Sequence, residues 1–298
     1  MRLGITEAGS GPHIVVEHED VWYNLSAALQ ARDVIRDGAV REPATTLEAL
    51  IAQDRMRTAF IADALDTLRR HALLDAFALP AAPTRFALPV RPGKIIALGR
   101  NYAAHAAETG HEPPKEPVFF AKPVSACIAD GEPIVVKPWY GQVDHEAELA
   151  LVIGKRMKDV PVERALACVA GYTLMNDVTA RDMQAIDMAA AHPWFRSKGI
   201  DTFGPLGPVV ALPEAMPEPL HVDITLTVNG AIRQKSNTAM FLFSIAEMLA
   251  FVTRFLTLEP GDVVSTGTPE GIAPITPGDS VEVRVPEIGV LRNPVIAG

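Results

Sequence analysis

Cysteine is nearly missing: Cys127 and Cys168 are the only two in 298 residues. They share no metal-ligand spacing, and a chain of this length buries enough core to stand without a disulfide. Two buried thiols in a reducing compartment is the plain expectation. Long apolar runs are missing too. The most apolar stretches, such as 149–153, fall far short of the roughly 20 residues a membrane span needs. The opening Met1-Arg2-Leu3-Gly4-Ile5-Thr6-Glu7 has no apolar h-region, so it does not read as a signal peptide. A cytoplasmic location without a membrane partner is expected. Excess positive charge is lacking, since the formal net charge is −9. That argues against nucleic acid and anionic membranes as partners. It leaves an anionic small substrate open, because a local cation overrides the global field. No repeat of fixed period is visible.

What is present suits a folded globular chain, with 48% hydrophobic and 21% charged residues. The length allows one large domain, or a large one and a small one. Residues 1–30 read as short strands, with Ile14-Val15-Val16 and Val21-Trp22-Tyr23 rich in β-formers. Between 45 and 76, Leu47, Leu50, Ile51, Met56, Phe60, Ile61, Leu65 and Leu68 recur at helical spacing. This predicts one long amphipathic helix or two shorter ones. Pro80, Pro83, Pro89 and Pro92 follow, giving an extended connection. A small N-terminal domain over 1–88 and a larger domain over 89–298 are expected.

The larger part is dense in strand and turn signals. Lys94–Leu98 reads as a buried strand. Asn229-Gly230 between two β-like runs is a hairpin signal, since type I′ turns need positive φ at both positions. Pro260-Gly261-Asp262 and Pro277-Gly278-Asp279 read as turns into strands. Helices are expected over 162–169, ended by Gly171, and from Ser244, where Ser244 and Glu247 match a capping box. The stripe Phe241, Leu242, Ile245, Met248, Leu249 and Val252 reads as core packing. The fold class is therefore α+β and β-dominated, without the strict strand–helix alternation of a doubly wound sheet.

The chemistry-bearing segment is Asp144-His145-Glu146-Ala147-Glu148, running into the apolar Leu149–Ile153. Residues i and i+2 of a strand face one side, so Glu146 and Glu148 project together. Two like charges in a poorly solvated place are costly unless a cation sits between them. A solvated strand end remains the bland alternative. Asp177 closes a third apolar run, Tyr172–Asn176, and Asp177, Arg181 and Gln184 are spaced so as to line one helical face. An N-cap aspartate with an ordinary i, i+4 ion pair would explain the same spacing. An all-carboxylate site without His or Cys suits a hard cation, Mg²⁺ first, with Mn²⁺ or Ca²⁺ possible.

Six motifs then appear in order. They are Gly99-Arg100-Asn101-Tyr102-Ala103-Ala104-His105, Phe119-Phe120-Ala121-Lys122-Pro123 and His145-Glu146-Ala147-Glu148-Leu149. Asn176-Asp177-Val178-Thr179-Ala180-Arg181-Asp182-Met183-Gln184, Lys198-Gly199-Ile200-Asp201-Thr202-Phe203-Gly204-Pro205 and Thr266-Gly267-Thr268-Pro269-Glu270-Gly271 complete the set. This series resembles the fumarylacetoacetate hydrolase family across residues 99–271, about two-thirds of the chain. The resemblance implies a mixed β-sandwich roll, usually a homodimer, with many members carrying a smaller N-terminal domain. It implies Glu146, Glu148 and Asp177 as metal ligands. His105 looks like the general base, oriented by Glu108 on a lid, and Lys198 aligns with a catalytic, charge-holding lysine. Arg181, Gln184, Lys122, Gly267 and Thr268 align with substrate-holding positions.

One departure matters. The founding mammalian-type enzyme has a metal-binding aspartate just before the motif histidine and a distant glutamate partner. Here no carboxylate stands just before His105, and Glu108 takes the partner's place. This resembles the acylpyruvase and oxaloacetate decarboxylase branch. The reaction it implies is hydrolysis of a carbon–carbon bond in a 2,4-dioxo acid, by way of a 2-oxo acid enolate and a water activated by the His–Glu pair. The alternative is a lyase or isomerase on the same scaffold, needing the enolate but no attacking water. A non-catalytic β-rich binder is a third reading, disfavoured because the motif positions are filled. His145 is expected to be structural or supporting, His111 to belong to the lid, and His13, His18, His71, His192 and His221 to carry no chemistry.

Overall fold

The computed structural model describes residues 1–7 and 11–298. It opens with β1 (Arg2–Glu7), β2 (Pro12–His18) and β3 (Val21–Asn24), then α1 (Leu25–Asp37), α2 (Leu47–Ala52) and α3 (Thr58–Arg70). β4 (Ile95–Gly99), α4 (Ala103–Glu108), β5 (Val118–Lys122), β6 (Cys127–Ile128), β7 (Ile134–Val136) and β8 (Val143–Asp144) follow. Next come β9 (Ala147–Ile153), α5 (Val162–Ala165), β10 (Val169–Asn176), β11 (Thr179–Ala180), α6 (Arg181–Ala189), α7 (Phe195–Lys198) and β12 (Gly204–Ala211). The chain ends with β13 (Asp223–Val228), β14 (Ala231–Asn237), α8 (Ile245–Phe255), β15 (Val263–Ser265), β16 (Ser280–Val285) and β17 (Gly289–Ala297). The fold is mixed α+β and strand-rich.

The main sheet runs β3–β2–β1–β12–β10–β9–β15–β4–β5, with β6 added beside β12. A second sheet runs β14–β13–β16–β17–β7. β9 explains why the chain needs two cores. It is buried along its whole length, so it reads as a continuous apolar run, as strands covered on both faces do. Leu149, Leu151 and Ile153 enter one cluster with Val281, Val283 and Met248, from the second sheet and α8. Ala150 and Val152 enter another with Leu29, Leu50, Ile61 and Leu65. Period two thus puts the N-terminal helices on one face of the strand and the second sheet on the other.

The first 88 residues share this architecture. β1 pairs with β12 through Arg2 opposite Ala211 and Leu3 opposite Val210. In α3, Ile61, Ala64, Leu65 and Leu68 are buried, an i, i+3, i+4, i+7 stripe. The helical stretch resolves into two helices, α2 and α3. The expectation of strands alone up to residue 30 needs correcting, because α1 begins at Leu25. Its start is fixed by Asn24, whose side chain accepts from the Ala27 amide at 3.0 Å. Its end is fixed by Gly38 in the left-handed region. The helix expected over 162–169 is also shorter. It passes from Ala165 into a 3-10 turn, and Val169 already belongs to β10. The hairpin turn has Asn229 at φ 53° and Gly230 at φ 80°, as a type I′ turn requires. The capping box on α8 is formed by Ser244 and Glu247. Among the described residues no helix is long and apolar enough to cross a membrane.

Candidate metal centre and its cavity

The site gathers at one end of β9 and β10. These strands pair antiparallel with Glu148 opposite Met175 and Ala147 opposite Asn176. That register carries Asp177, the residue after β10, back beside Glu146, and the Asp177 amide donates to the Glu146 carbonyl at 2.8 Å. The Asn176 side chain accepts from the Glu146 amide at 2.9 Å. Glu146, Glu148 and Asp177 are all buried, and one carboxylate oxygen from each lies within 4.8 Å of the others.

The expected helical face for Asp177, Arg181 and Gln184 is not what joins them. Thr179 and Ala180 stay extended and pair with β8, and the helix begins only at Arg181. Arg181 then reaches back, donating from Nη2 to Glu146 Oε1 at 2.5 Å, from Nε to Asp144 Oδ2 at 2.8 Å and from Nη1 to Gln184 Oε1 at 2.6 Å.

Two buried lysines balance the acids. Lys198 Nζ donates to Glu146 Oε2 and to Asp177 Oδ2, each at 2.6 Å. Lys122 Nζ donates to Asp177 Oδ1 at 2.8 Å and also to the Lys198 and Val178 carbonyls. Burial opposes the Glu146 charge, but Lys198 and Arg181 outweigh it and hold the carboxyl well below its usual range. Burial likewise opposes the Lys198 ammonium, and Asp177 and Glu146 more than restore it. Lys122, fully buried, is pushed down by desolvation.

Glu148 is different. Burial, then Asp177 and Glu146, push its carboxyl well above the usual value. Its Oε2 accepts from the Ser265 hydroxyl at 2.5 Å and from the Gly267 amide at 3.0 Å. Four carboxylates, Asp144, Glu146, Glu148 and Asp177, thus meet three cations, Lys122, Lys198 and Arg181. With all four ionised, one negative charge would be left over in a dry place. The donor set is all oxygen, close and anionic, which fits a hard divalent cation.

The cavity in front of the triad has a volume of about 50 Å³ and is lined by His105, Glu146, Glu148, Arg181, Lys198 and Thr268, among others. Gln184 also lines it. His105 and Glu108 both lie on α4. His105 Nδ1 is 3.3 Å from Glu108 Oε2, and Glu108 Oε1 accepts from the Gly271 amide at 3.0 Å. With Nδ1–H given to the carboxylate, Nε2 is left as a free base, a tautomer assigned from the network. Burial is the main influence on His105 and keeps it below the ordinary imidazole value.

Two residues expected to hold substrate turn polar atoms toward the carboxylates. Lys122 is not part of the cavity lining, and its bonds hold Asp177 and the end of α7 in place. Gly267 also lies behind the lining and gives its amide to Glu148. At φ +91°, with Leu98 O only 3.1 Å from where a Cβ would stand, this turn has room for glycine alone.

Sequence reasoning missed Gln234. It arrives on β14, yet is buried beneath the site. Its Nε2 donates to Thr268 Oγ1 and to the Pro269 carbonyl, both at 2.8 Å. Its Oε1 accepts from the Ala147 amide at 3.0 Å and lies 3.2 Å from His145 Nδ1. His145 is fully buried, with Nε2 unpartnered among the described residues, in keeping with a supporting role. Replacing Gln234 with leucine leaves several of these groups unpaired. It is expected to lower stability by about 2–3 kcal/mol, read from the denaturant midpoint. An unchanged midpoint would mean that the network holds nothing.

Fold and site together define a strand-rich α+β enzyme scaffold built around a buried three-carboxylate centre. Residues 94–296 match the family described as Fumarylacetoacetate (FAA) hydrolase C-terminal, and the chain belongs to that family. It is 38% identical over 240 residues to the mitochondrial oxaloacetate tautomerase FAHD2A of Bos taurus, covering 78% of this chain and 76% of that one. The fold superposes on 5-carboxymethyl-2-hydroxymuconate delta-isomerase from Mycobacterium smegmatis with a TM-score of 0.74 and 35% identity, covering 100% and 99% of the two chains. Fumarylacetoacetate hydrolase from Exiguobacterium antarcticum gives a TM-score of 0.75 at 30% identity, with both chains covered fully. These whole-chain matches include the N-terminal segment that precedes the family region.

Proposed function

We propose that the protein moves a proton at the carbon next to the keto group of a small 2-oxo acid, as a metal-dependent tautomerase or isomerase. The observation that carries this is His105, a buried neutral base lining the same cavity as Glu146 and Glu148. Similarity to an oxaloacetate tautomerase and to a delta-isomerase supports it. When bound, a hard divalent cation such as Mg²⁺ supplies Lewis-acid polarisation of the substrate's keto oxygen. Glu146, Glu148 and Asp177 would hold that cation. Lys198 and Arg181 face the negative charge that grows on the substrate. His105 Nε2 takes the carbon-bound proton and delivers it to the enolate oxygen, or to the far carbon of an extended dienolate, while Glu108 steadies the imidazolium in between.

A second reading is hydrolysis of a 2,4-dioxo acid. The Gly271–Glu108–His105 chain favours it, because an oriented base of this kind also activates water. Products separate the two. With Mg²⁺, the enol form of oxaloacetate should ketonise without loss of carbon, and a 2,4-dioxo acid should survive intact. Cleavage of the dioxo acid would place hydrolysis first, and no turnover of either would reject both readings.

His105→Gln is expected to lower kcat about 10²- to 10⁴-fold. Because the base must be neutral, activity is present above its pKa. The acid limb of kcat/KM should therefore lie below about 6.5. Glu108 raises the His105 value through its hydrogen bond, so Glu108→Gln should move the limb lower still. A limb above the ordinary imidazole value would count against His105 as the base.

A further inference from the structure

We infer that Arg100 is the residue that reads the second carboxylate of a 2-oxo diacid such as oxaloacetate. This rests on the cavity being a 2-oxo acid site. Arg181 and Lys198 are each bound to site carboxylates. Arg100 lines the same cavity, yet among the described residues it forms no ion pair and no side-chain hydrogen bond. It is a fixed positive charge, only partly exposed.

Its position is built. Arg100 follows the last residue of β4 and sits at φ 57°, a left-handed conformation that a long side chain rarely adopts. Its guanidinium lies 5.4 Å from the centre of the Trp194 ring. Trp194 lies directly over Gly99, where an added Cβ would come within 2.7 Å of the ring. Trp194 also packs edge-on against Phe120 at 5.5 Å, and Phe120 in turn lies 5.3 Å from Lys198 Nζ. A run of aromatic contacts therefore joins the free cation to the lysine of the metal centre.

Arg181 and Lys198 already have carboxylate partners within the site, so among the described residues Arg100 is the lining cation left without one. A planar guanidinium is suited to bidentate capture of a carboxylate. A monocarboxylic substrate would leave it unmatched in a confined cavity. Arg100 is thus a specificity-determining residue that selects 2-oxo diacids over 2-oxo monoacids.

The test uses two ligands of equal carbon count that rest in the keto form, 2-oxopentanedioate and 2-oxopentanoate, titrated calorimetrically into the full chain with Mg²⁺. Wild type should bind the diacid roughly 10- to 100-fold more tightly. Arg100→Met should remove that preference and leave monoacid affinity within about twofold. Arg100→Lys should keep part of it. Equal binding of both ligands by wild type would overturn the arginine proposal while leaving the 2-oxo acid reading in place. A loss of affinity for both ligands alike in Arg100→Met would overturn it too, since that is what mere distortion of the cavity would give. If wild type binds neither, the 2-oxo acid reading itself falls, and this inference with it.

Discussion

Glu148→Gln is expected to abolish metal-dependent turnover, by about 10³-fold or more, while making the metal-free protein more stable. Among the described residues, Glu146 and Asp177 have cationic partners and Glu148 has none; it accepts only from Ser265 and Gly267. Without a cation it faces Asp177 and Glu146 across a dry space, which lifts its pKa. The amide keeps the shape, accepts from Gly267 and removes one of three crowded charges. A gain of about 1 kcal/mol, or about 2 °C in melting temperature, is a fair expectation.

The pH dependence follows from the same cause. Between the ordinary glutamate value and the raised one, the folded metal-free state holds a proton that the unfolded state has released. Its stability therefore falls as pH rises through that window, and Glu148→Gln lacks the fall. Mg²⁺ should raise the melting temperature of wild type and leave that of the variant unmoved. If Glu148→Gln kept its turnover and its Mg²⁺ response, the three carboxylates would not be the metal centre.

The acids were legible in the sequence for a local reason. Glu146 and Glu148 are two apart at the head of a strand, and period two puts them on one side whatever the fold does. Asp177 was legible only as the end of a second strand. What brings it to Glu146 is the antiparallel register of β9 and β10, a long-range pairing. The helical spacing suggested for Asp177, Arg181 and Gln184 led elsewhere, because the pairing of β11 with β8 keeps Thr179 and Ala180 extended.

The counter-charges were harder to place. Lys122 comes from β5 and Lys198 from α7, and nothing near either residue says which carboxylate it will meet. Gln234 comes from a hairpin whose turn was plain, yet its partners lie on β9 and in the loop after β15. Motifs named the residues that touch the cavity. They did not separate those residues from Lys122 and Gly267, which bond to Asp177 and Glu148. The opposite error occurred at α1, where a local signal, Asn24 before and Gly38 after, was present and a β-rich neighbourhood hid it.

Lys198→Met should move the protein the opposite way from Glu148→Gln. The ammonium bridges Glu146 and Asp177, so its removal leaves two buried carboxylates short of charge. The metal-free variant should lose about 3–5 kcal/mol. The same two carboxylates would hold the cation, and in the metal-free protein Lys198 occupies their oxygens. With that competitor gone, Mg²⁺ or Mn²⁺ should bind more tightly, by about tenfold or more, and should recover much of the lost stability. Turnover should still fall about 10²- to 10³-fold, because a donor facing the growing substrate charge is lost. Tighter metal with slower chemistry separates a lysine that shares its ligands with a cation from one that merely supports the fold. Titration calorimetry with Mn²⁺ beside steady-state rates reads both quantities. If metal affinity fell together with turnover, Lys198 would be organising the carboxylates for the cation, and the competition argued here would be wrong.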